Sequence, residues 1–593
     1  MLTALSAMKR RVAILFAVVL GIVALDWGAA NWIVWSSYAR LGDLLREPNR
    51  LRGQHVRLEV RELSPKERVF GGAELFSRAN PSAFRLAINY DNHLFELTSG
   101  SETHITAAKT KAHFAGAACD FSESRLALAG AADALPKLPA WKRFLAGLWI
   151  HPLVAGVTNV QGERCWNIFF AGGRVAVACG DGLPREVRYQ KWLVTFRRES
   201  LADAALASGP TGTPVRVEAR DLDKSLAAVL RILTLQLVEV PREPDALRRE
   251  GNGSLEIKDG RRVLRLRGKP YDIGLQHGRL LAPNIKRLCE RVIYGVGFYY
   301  SIEKGQWFLD EAAKLVERQR PFIAPEYFEE MRGVADGAGL PVATVQAANI
   351  FPEFFHCSGV AVFGKATRGG TLLHARVLDY MTEVGLQDEA VTMAVEREGA
   401  RRFVNVGYAG FIGSVTGMNE KQVAIGEMGG RGEGNWDGTP MAQLLRGALE
   451  NCDTLEEALD YMRRRPRTCE YYYVVSDGKS RTARGVAATP EKFEVIGPGE
   501  VVPLLPERVE DAILLSAGDR YQQLVKRVRD LHGRIGANEM QRIIARGVAS
   551  RSNLHDAIFE PAALTLWIAH ASRHRPACDE PYVKYTWDEL FPR

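Results

Sequence analysis

Between Ser358 and Tyr380, two apolar β-type runs stand on either side of Arg368-Gly369-Gly370, an arrangement that reads as a hairpin. Helical patterns precede it, from Pro283 to about Val296 and from Pro325 to about Gly339. Thr454-Leu455-Glu456-Glu457 then fits a capping box opening a helix that ends near Arg463, and another helix is expected from Asn538 to about Arg546. Strands interleaved with helices over roughly 340 residues predict a layered α/β domain.

The whole chain, 593 residues with 46% hydrophobic side chains, is too long for one core. Upstream, short strand-like runs alternate with turn signals at Val56–Val60, Phe84–Asn89, Asn167–Phe170, Val175–Ala178 and Lys191–Phe196, as in a mostly antiparallel β domain. Pro241 to Glu250 reads as a linker, followed by Gly251-Asn252-Gly253. The expected division is residues 1–35 as a signal anchor or signal peptide, 36–250 as a mostly β domain, and 251–593 as the α/β domain.

Lys9, Arg10 and Arg11 precede an apolar run, Val12 to Leu25, which continues past Asp26 and Asn31 through Trp32 to Trp35. This pattern orients its basic end inward and places the bulk of the chain beyond the membrane, periplasmic or extracytoplasmic. Gly28-Ala29-Ala30 offers a small-residue cleavage site, but Trp27, Trp32 and Trp35 favour an uncleaved anchor.

The net charge of +8 is dispersed among nearly as many acids, which argues against a nucleic-acid partner and suits an anionic lipid surface. Eight cysteines include no Cys-x-x-Cys pair and no zinc spacing, so neither a metal nor a cofactor is expected. Cys165 and Cys179 flank the turn signal Ala171-Gly172-Gly173-Arg174; a three-residue loop would set them opposite each other as a disulfide, and two small apolar strand residues is an equal reading. Gly359 to Thr367 imitates a phosphate-binding loop, yet Ala366 stands where a hydroxyl must reach magnesium. Gly430-Arg431-Gly432-Glu433-Gly434 lacks the third glycine of a dinucleotide fingerprint.

His356-Cys357-Ser358-Gly359 opens the first run of the hairpin, and Arg376-Val377-Leu378-Asp379 closes the second. With Gly268 to Gly278 upstream, and Ser552 to Pro561 and Pro581-Tyr582-Val583 downstream, this order of segments resembles the penicillin acyltransferase-like family, peptidase family C45. That family is related to bile-salt hydrolases, penicillin V acylases and acid ceramidase. The resemblance implies an αββα N-terminal-nucleophile fold, self-cleavage between His356 and Cys357, and a cysteine amidohydrolase or acyltransferase that forms an acyl-enzyme on a non-peptide acyl amide. Asp379 would hold the new amine, and Arg376 would stabilise the thiolate or a substrate carboxylate.

The chemistry is consistent with that role. A thiol is mostly protonated at neutral pH and needs a base; an α-amine, with a reference pKa of about 7.7 to 8.0, supplies one if the cysteine begins its chain. Arg376 and Asp379, three residues apart, project to opposite faces of a regular strand, so a bulge or strand end near Val377 is required. The resemblance puts one oxyanion donor in Glu427-Met428-Gly429-Gly430, with Met428 and Gly429 as candidates. The family's second donor, an Asn, is missing around Leu515 to Arg520; Ser516 or Asn553 is the substitute, Asn553 having also the reading of a turn or cap residue. His277, His374 and His555 are expected to be structural. The competing class is a non-catalytic envelope protein that keeps the fold and binds lipid or a protein partner.

Overall fold

The computed structural model describes residues 26, 29–37, 39–40, 43, 54–63, 68–78, 83–90, 93–134, 152–200, 213–235, 243–350, 356–430, 435–503 and 505–592. They fall into two compact units, Met1–Glu239 with Phe298–Trp307, and Val240–Gly297 with Phe308–Arg593.

The first unit is built on one twelve-stranded sheet. A short strand, Val215–Arg216, pairs parallel with Ala112–Ala117. From there the sheet runs back antiparallel, strand by strand, to Gln54–Glu62, which pairs with Trp192–Ser200, and so back to the opposite edge. The last three strands are β1 (Leu153–Val160), β2 (Glu163–Phe170) and β3 (Gly173–Ala178). Alternation divides the two faces. One carries ion pairs between neighbouring strands, Arg57 with Glu74, Arg85 with Glu96 and Arg174 with Glu186. The other pairs Leu58 with Phe196, Leu86 with Leu75, Ile105 with Phe114 and Ile168 with Val175.

Among the described residues, helices of this unit include α1 (residues 29–37), α2 (Ser122–Ala134) and α3 (Ala219–Leu233). Ala30, Ile33 and Val34 of α1 pack on Ile168 and Val177, so the stretch expected to complete a membrane span is committed to the sheet from residue 29 onward. Val12 to Leu25 and Trp27 lie outside the described residues, and no described helix is long and apolar enough to cross a membrane. The segment Phe298–Trp307 sets its two terminal aromatic rings against Phe95 and Phe114.

Cys165 and Cys179 are not opposite each other. Phe170 pairs with Gly173 across a two-residue turn, which puts Ala178 opposite Cys165, and both thiols are free. A shift of one residue from the expected three-residue loop sends the two side chains to opposite faces.

The second unit contains a ten-stranded and a six-stranded sheet. The smaller sheet holds β4 (His356–Gly364) and β5 (Gly370–Asp379), the expected hairpin. The larger sheet holds β6 (Val423–Gly429). β7 (Ala512–Leu515) flanks β4, and β8 (Asn553–Glu560) flanks β5. The larger sheet is mixed: Arg261–Gly268 runs parallel to Ala390–Arg397 within otherwise antiparallel pairings. Its edge strand, Ala246–Glu250, pairs with Gly253–Lys258 around Gly251-Asn252, so a stretch read as linker is part of this sheet.

A core that includes Val404, Met418, Ala557, Phe559 and Ile568 lies between the two sheets. Helices cover them: α4 (Pro270–Leu280), α5 (Pro325–Ala338), α6 (Met441–Asn451) and α7 (Leu455–Arg464), then α8 (Gly518–Leu531) and α9 (Ala537–Ile544). The glycines of Gly268 to Gly278 explain themselves here, because α4 and α5 touch backbone to backbone. A Cβ on Gly274 would stand 2.1 Å from the Glu330 carbonyl oxygen. The Thr454 cap is present, its hydroxyl accepting from the Glu457 N–H at 3.2 Å.

Candidate active site

β4 and β5 pair in unbroken register from His356 opposite Asp379 to Val362 opposite Leu373. Leu378 lies opposite Cys357 and Arg376 opposite Gly359, so Cys357 and Arg376 share the face turned to the larger sheet. Asp379 and Ser358 share the other. No bulge occurs at Val377; the irregularity comes at Leu378/Asp379, in the pairing of β5 with β8. The strand therefore sends Arg376 and Asp379 to opposite sides of the Cys357 backbone.

On the inner face, Arg376 Nη2 donates to Cys357 Sγ at 3.1 Å and to Glu427 Oε2 at 3.0 Å, and Arg376 Nε donates to the Glu427 carbonyl at 2.9 Å. Arg376 and Glu427 are both wholly buried. Met428, next to Glu427 on β6, presses its sulfur towards Gly359: a Cβ there would lie 2.6 Å from Met428 Sδ and 2.8 Å from Val474 Cγ2. Gly359 is thus the close-approach position that lets β6 cross β4. Met428 is buried and Gly429 half-buried at the end of β6.

On the outer face, the Asp379 carboxylate pairs with Arg520 of α8 and accepts from the Ser550 N–H at 3.0 Å. Arg520 Nη2 also donates to Ser358 Oγ at 3.0 Å, and Ser358 Oγ meets Ser516 Oγ at 2.7 Å. Ser516 therefore stands beside Ser358, on the side of the strand away from the thiol. Asn553 is a stitch. Its amide nitrogen donates to the Leu378 and His555 carbonyls and to Asp556 Oδ1, and its oxygen accepts from the Cys578 N–H at 2.7 Å. With its polar atoms so engaged, Asn553 is not brought to Cys357, which is the cap reading rather than that of an oxyanion donor.

Burial pushes the Cys357 thiol up to about 12; Arg376 opposes that shift, while Glu427 and Asp379 reinforce it. Burial likewise raises Glu427 to about 7 against the pull of Arg376. Asp379 is raised by burial, with Arg520 and Ser550 acting the other way. The uncut chain thus holds a neutral thiol beside a buried guanidinium. His277 accepts from the Gly410 N–H and His374 meets Ser476, and burial drops both to about 3. His555, between Tyr408 and Thr416, is lowered further by burial, so all three are neutral.

Among the described residues, the one grouping with metal-like spacing is Cys119, Asp120 and Asp223 in the first unit. The Asp223 carboxylate is already taken by the Glu123 and Ser124 N–H groups and the Ser124 hydroxyl, as a cap on α2.

Two charged groups at the site, Glu427 and Arg520, escaped the reading of the sequence. Both lie in segments singled out for another feature, the backbone donors of β6 and the missing Asn after β7. A buried acid four residues after Val423 in an apolar strand was the available signal for Glu427.

Residues 366–497 match the family model of acyl-coenzyme A:6-aminopenicillanic acid acyl-transferase, a span that takes in Arg376, Asp379 and Glu427. Within the second unit, residues 366–497 are therefore a penicillin acyltransferase-like segment. Curated relatives include protein dcd1A of Dictyostelium discoideum, 26% identical over 266 residues, 39% of this chain and 59% of that protein. Acid ceramidase of Rattus norvegicus is 27% identical over 212 residues, 30% of this chain and 51% of that protein. N-acylethanolamine-hydrolyzing acid amidase of Mus musculus is 23% identical over 213 residues, covering 34% and 56%. The chain spans about half the length of the curated relatives it matches. Among solved structures, a Caenorhabditis elegans N-acylethanolamine-hydrolyzing acid amidase ortholog aligns at 16% identity and TM-score 0.28, over 35% of this chain and 93% of that one. A conjugated bile acid hydrolase from Clostridium perfringens aligns at 12% identity and TM-score 0.27, over 39% and 97%.

Proposed function

We propose that this penicillin acyltransferase-like protein is a self-cleaving cysteine N-terminal-nucleophile enzyme that acts on a non-peptide acyl amide. The observation that carries this reading is the 3.1 Å contact from the Arg376 guanidinium to Cys357 Sγ, beside the His356-Cys357 bond. In the uncut chain the thiol attacks the His356 carbonyl carbon. The carbon–nitrogen bond breaks as the nitrogen takes the thiol proton, leaving a thioester and a free α-amine. Water then cleaves the thioester to the His356 carboxylic acid and restores the thiol.

The amine is the base the site lacked. It takes the Cys357 proton, the thiolate attacks the substrate carbonyl beside the positive charge of Arg376, and the proton passes to the departing amine. Asp379, opposite His356 in the ladder, orients the α-amine, with Arg520 and Ser550 fixing its carboxylate. Backbone N–H groups at Met428 or Gly429 receive the developing oxyanion. Ser516 acts through Ser358 and Arg520. The acyl-enzyme yields to water in a hydrolase or to an amine in an acyltransferase.

The printed activities of the ceramidase and acylethanolamine amidase relatives, together with the apolar amino-terminal run, point to an N-acyl lipid amide as substrate. The protein is exported and held at the membrane by its amino-terminal segment, of which that run is the apolar part. Incubation with N-acyl amides of graded chain length followed by intact-mass analysis tests the reading: an acyl adduct on the fragment beginning at Cys357 is expected. No adduct and no turnover across the panel would leave a non-catalytic binding protein.

A further inference from the structure

The apolar run Val12–Leu25 ends one residue before Asp26, and Asp26 is fixed to the sheet: its carboxylate accepts from the Val154 N–H of β1 at 2.9 Å. The run counts fourteen residues, fewer than the roughly 20 that a helical span requires. Those that would have lengthened it, Ala30, Ile33 and Val34, are spent on Ile168 and Val177. Asp26, the residue that follows the apolar run in sequence, thus meets β1 at the edge of the sheet.

Around that point the surface is unusually apolar. Trp32 on α1 is 70% exposed, and on the sheet face that α1 covers, the cross-strand pair Val157 and Trp166 are 44% and 39% exposed. Tyr189, stacked on Phe170, continues the same face at 45% exposure, and Arg164 adds an exposed positive charge two residues before Trp166. Trp and Tyr with an arginine beside them match the chemistry of a bilayer interface, where amphipathic rings sit at headgroup depth and cations meet anionic lipid.

We propose that this face of β1 and β2, together with the outer side of α1, lies against a lipid bilayer. The inference rests on the anchored localisation proposed above and adds which surface meets the lipid. It is independent of the chemistry at Cys357. Trp32, Val157 and Trp166 enter the interfacial layer and Arg164 pairs with headgroups. The other face of the same sheet carries the Arg–Glu pairs and also exposes the Leu153–Phe169 pair, at 43% and 47%; the ion pairs hold that face in water.

The test uses the full chain reconstituted in phosphatidylcholine–phosphatidylglycerol vesicles, with the photoreactive residue benzoylphenylalanine placed at Val157, Trp166 or, as a control on the opposite face, Leu94. Expected are lipid adducts by mass at 157 and 166 and none at 94. Vesicle-bound protein that gives no lipid adduct at 157 and 166, gives adducts to protein instead, or labels equally at 94 overturns the assigned surface while leaving the anchor in place. Protein that stays unbound, and is found in the soluble fraction of cells, overturns the localisation itself. A second variant, Trp32→Glu with Trp166→Glu carrying the photoreactive residue at 157, should lower the yield of lipid adduct at least tenfold with folding unchanged by circular dichroism; an unchanged yield contradicts the proposal.

Discussion

The buried pair Arg376–Glu427 should show strong coupling between its partners. Above about pH 7, where Glu427 is charged, replacing Arg376 with Met leaves a wholly buried acid without its cation, and replacing Glu427 with Gln leaves a buried guanidinium facing a neutral thiol. Removing one partner of a buried, hydrogen-bonded pair costs about 3–5 kcal/mol, whereas neutral replacement of both returns much of that cost. The three contacts from Arg376 to Glu427 and Cys357, at 2.9 to 3.1 Å, place this pair at the upper end. The expected coupling in a double-mutant cycle is therefore on the order of 3 kcal/mol. Because the chain divides into two compact units, the assay is hydrogen exchange read on peptides covering β5 and β6 rather than a single melting curve. Each single variant should lose protection there by about three orders of magnitude, and Arg376→Met with Glu427→Gln should regain most of it. If the double variant is as labile as the sum of the singles, the pair is not a coupled unit and the electrostatic account of the site fails.

Stability of the second unit should fall as pH rises from about 4.5 to about 7, because Glu427 is raised from its ordinary 4.5 to about 7 in the fold, so the native state holds a proton that the unfolded chain has lost. The contribution is about 3 kcal/mol, and Glu427→Gln should flatten that slope in exchange or denaturation measured across the range. Gly359→Ala should destabilise β4 by about 1–3 kcal/mol through its clash with Met428 and Val474; adding Val474→Ala should recover part of the loss, and a harmless Gly359→Ala would refute the close approach. Asp379→Asn and Arg520→Gln should each slow self-cleavage at least tenfold in a pulse-chase gel assay. The double variant should be no slower than Asp379→Asn alone if Arg520 works by holding the carboxylate.

The residues around Cys357 were legible because patterned strands reveal their partners: the turn at Arg368-Gly369-Gly370 fixes which residues of β4 and β5 face one another. Thr454, Pro325 and Gly339 marked helix ends for the same local reason. Glu427 and Arg520 were hidden because their roles depend on where another sheet or helix passes, which no local spacing encodes. Asn553 misled for the complementary reason: an Asn at a strand start is equally apt as a ligand donor or a stitch, and only its four partners distinguish the two. The Cys165–Cys179 pairing failed by one residue, since loop length sets register and register sets faces. α8 lacks a strong opening signal, its cap residue Ala517 offering no side-chain hydrogen bond, so Arg520 lost its context as well.

The central claim is that Cys357 becomes an amino terminus. Intact-mass analysis of the purified protein, with amino-terminal sequencing of its carboxy-terminal fragment, reads this directly. The account predicts two fragments from the wild-type chain, the second beginning Cys-Ser-Gly-Val, and a single uncut, inactive chain from Cys357→Ala. A fully active wild-type enzyme that remains one chain through residue 357 would contradict it.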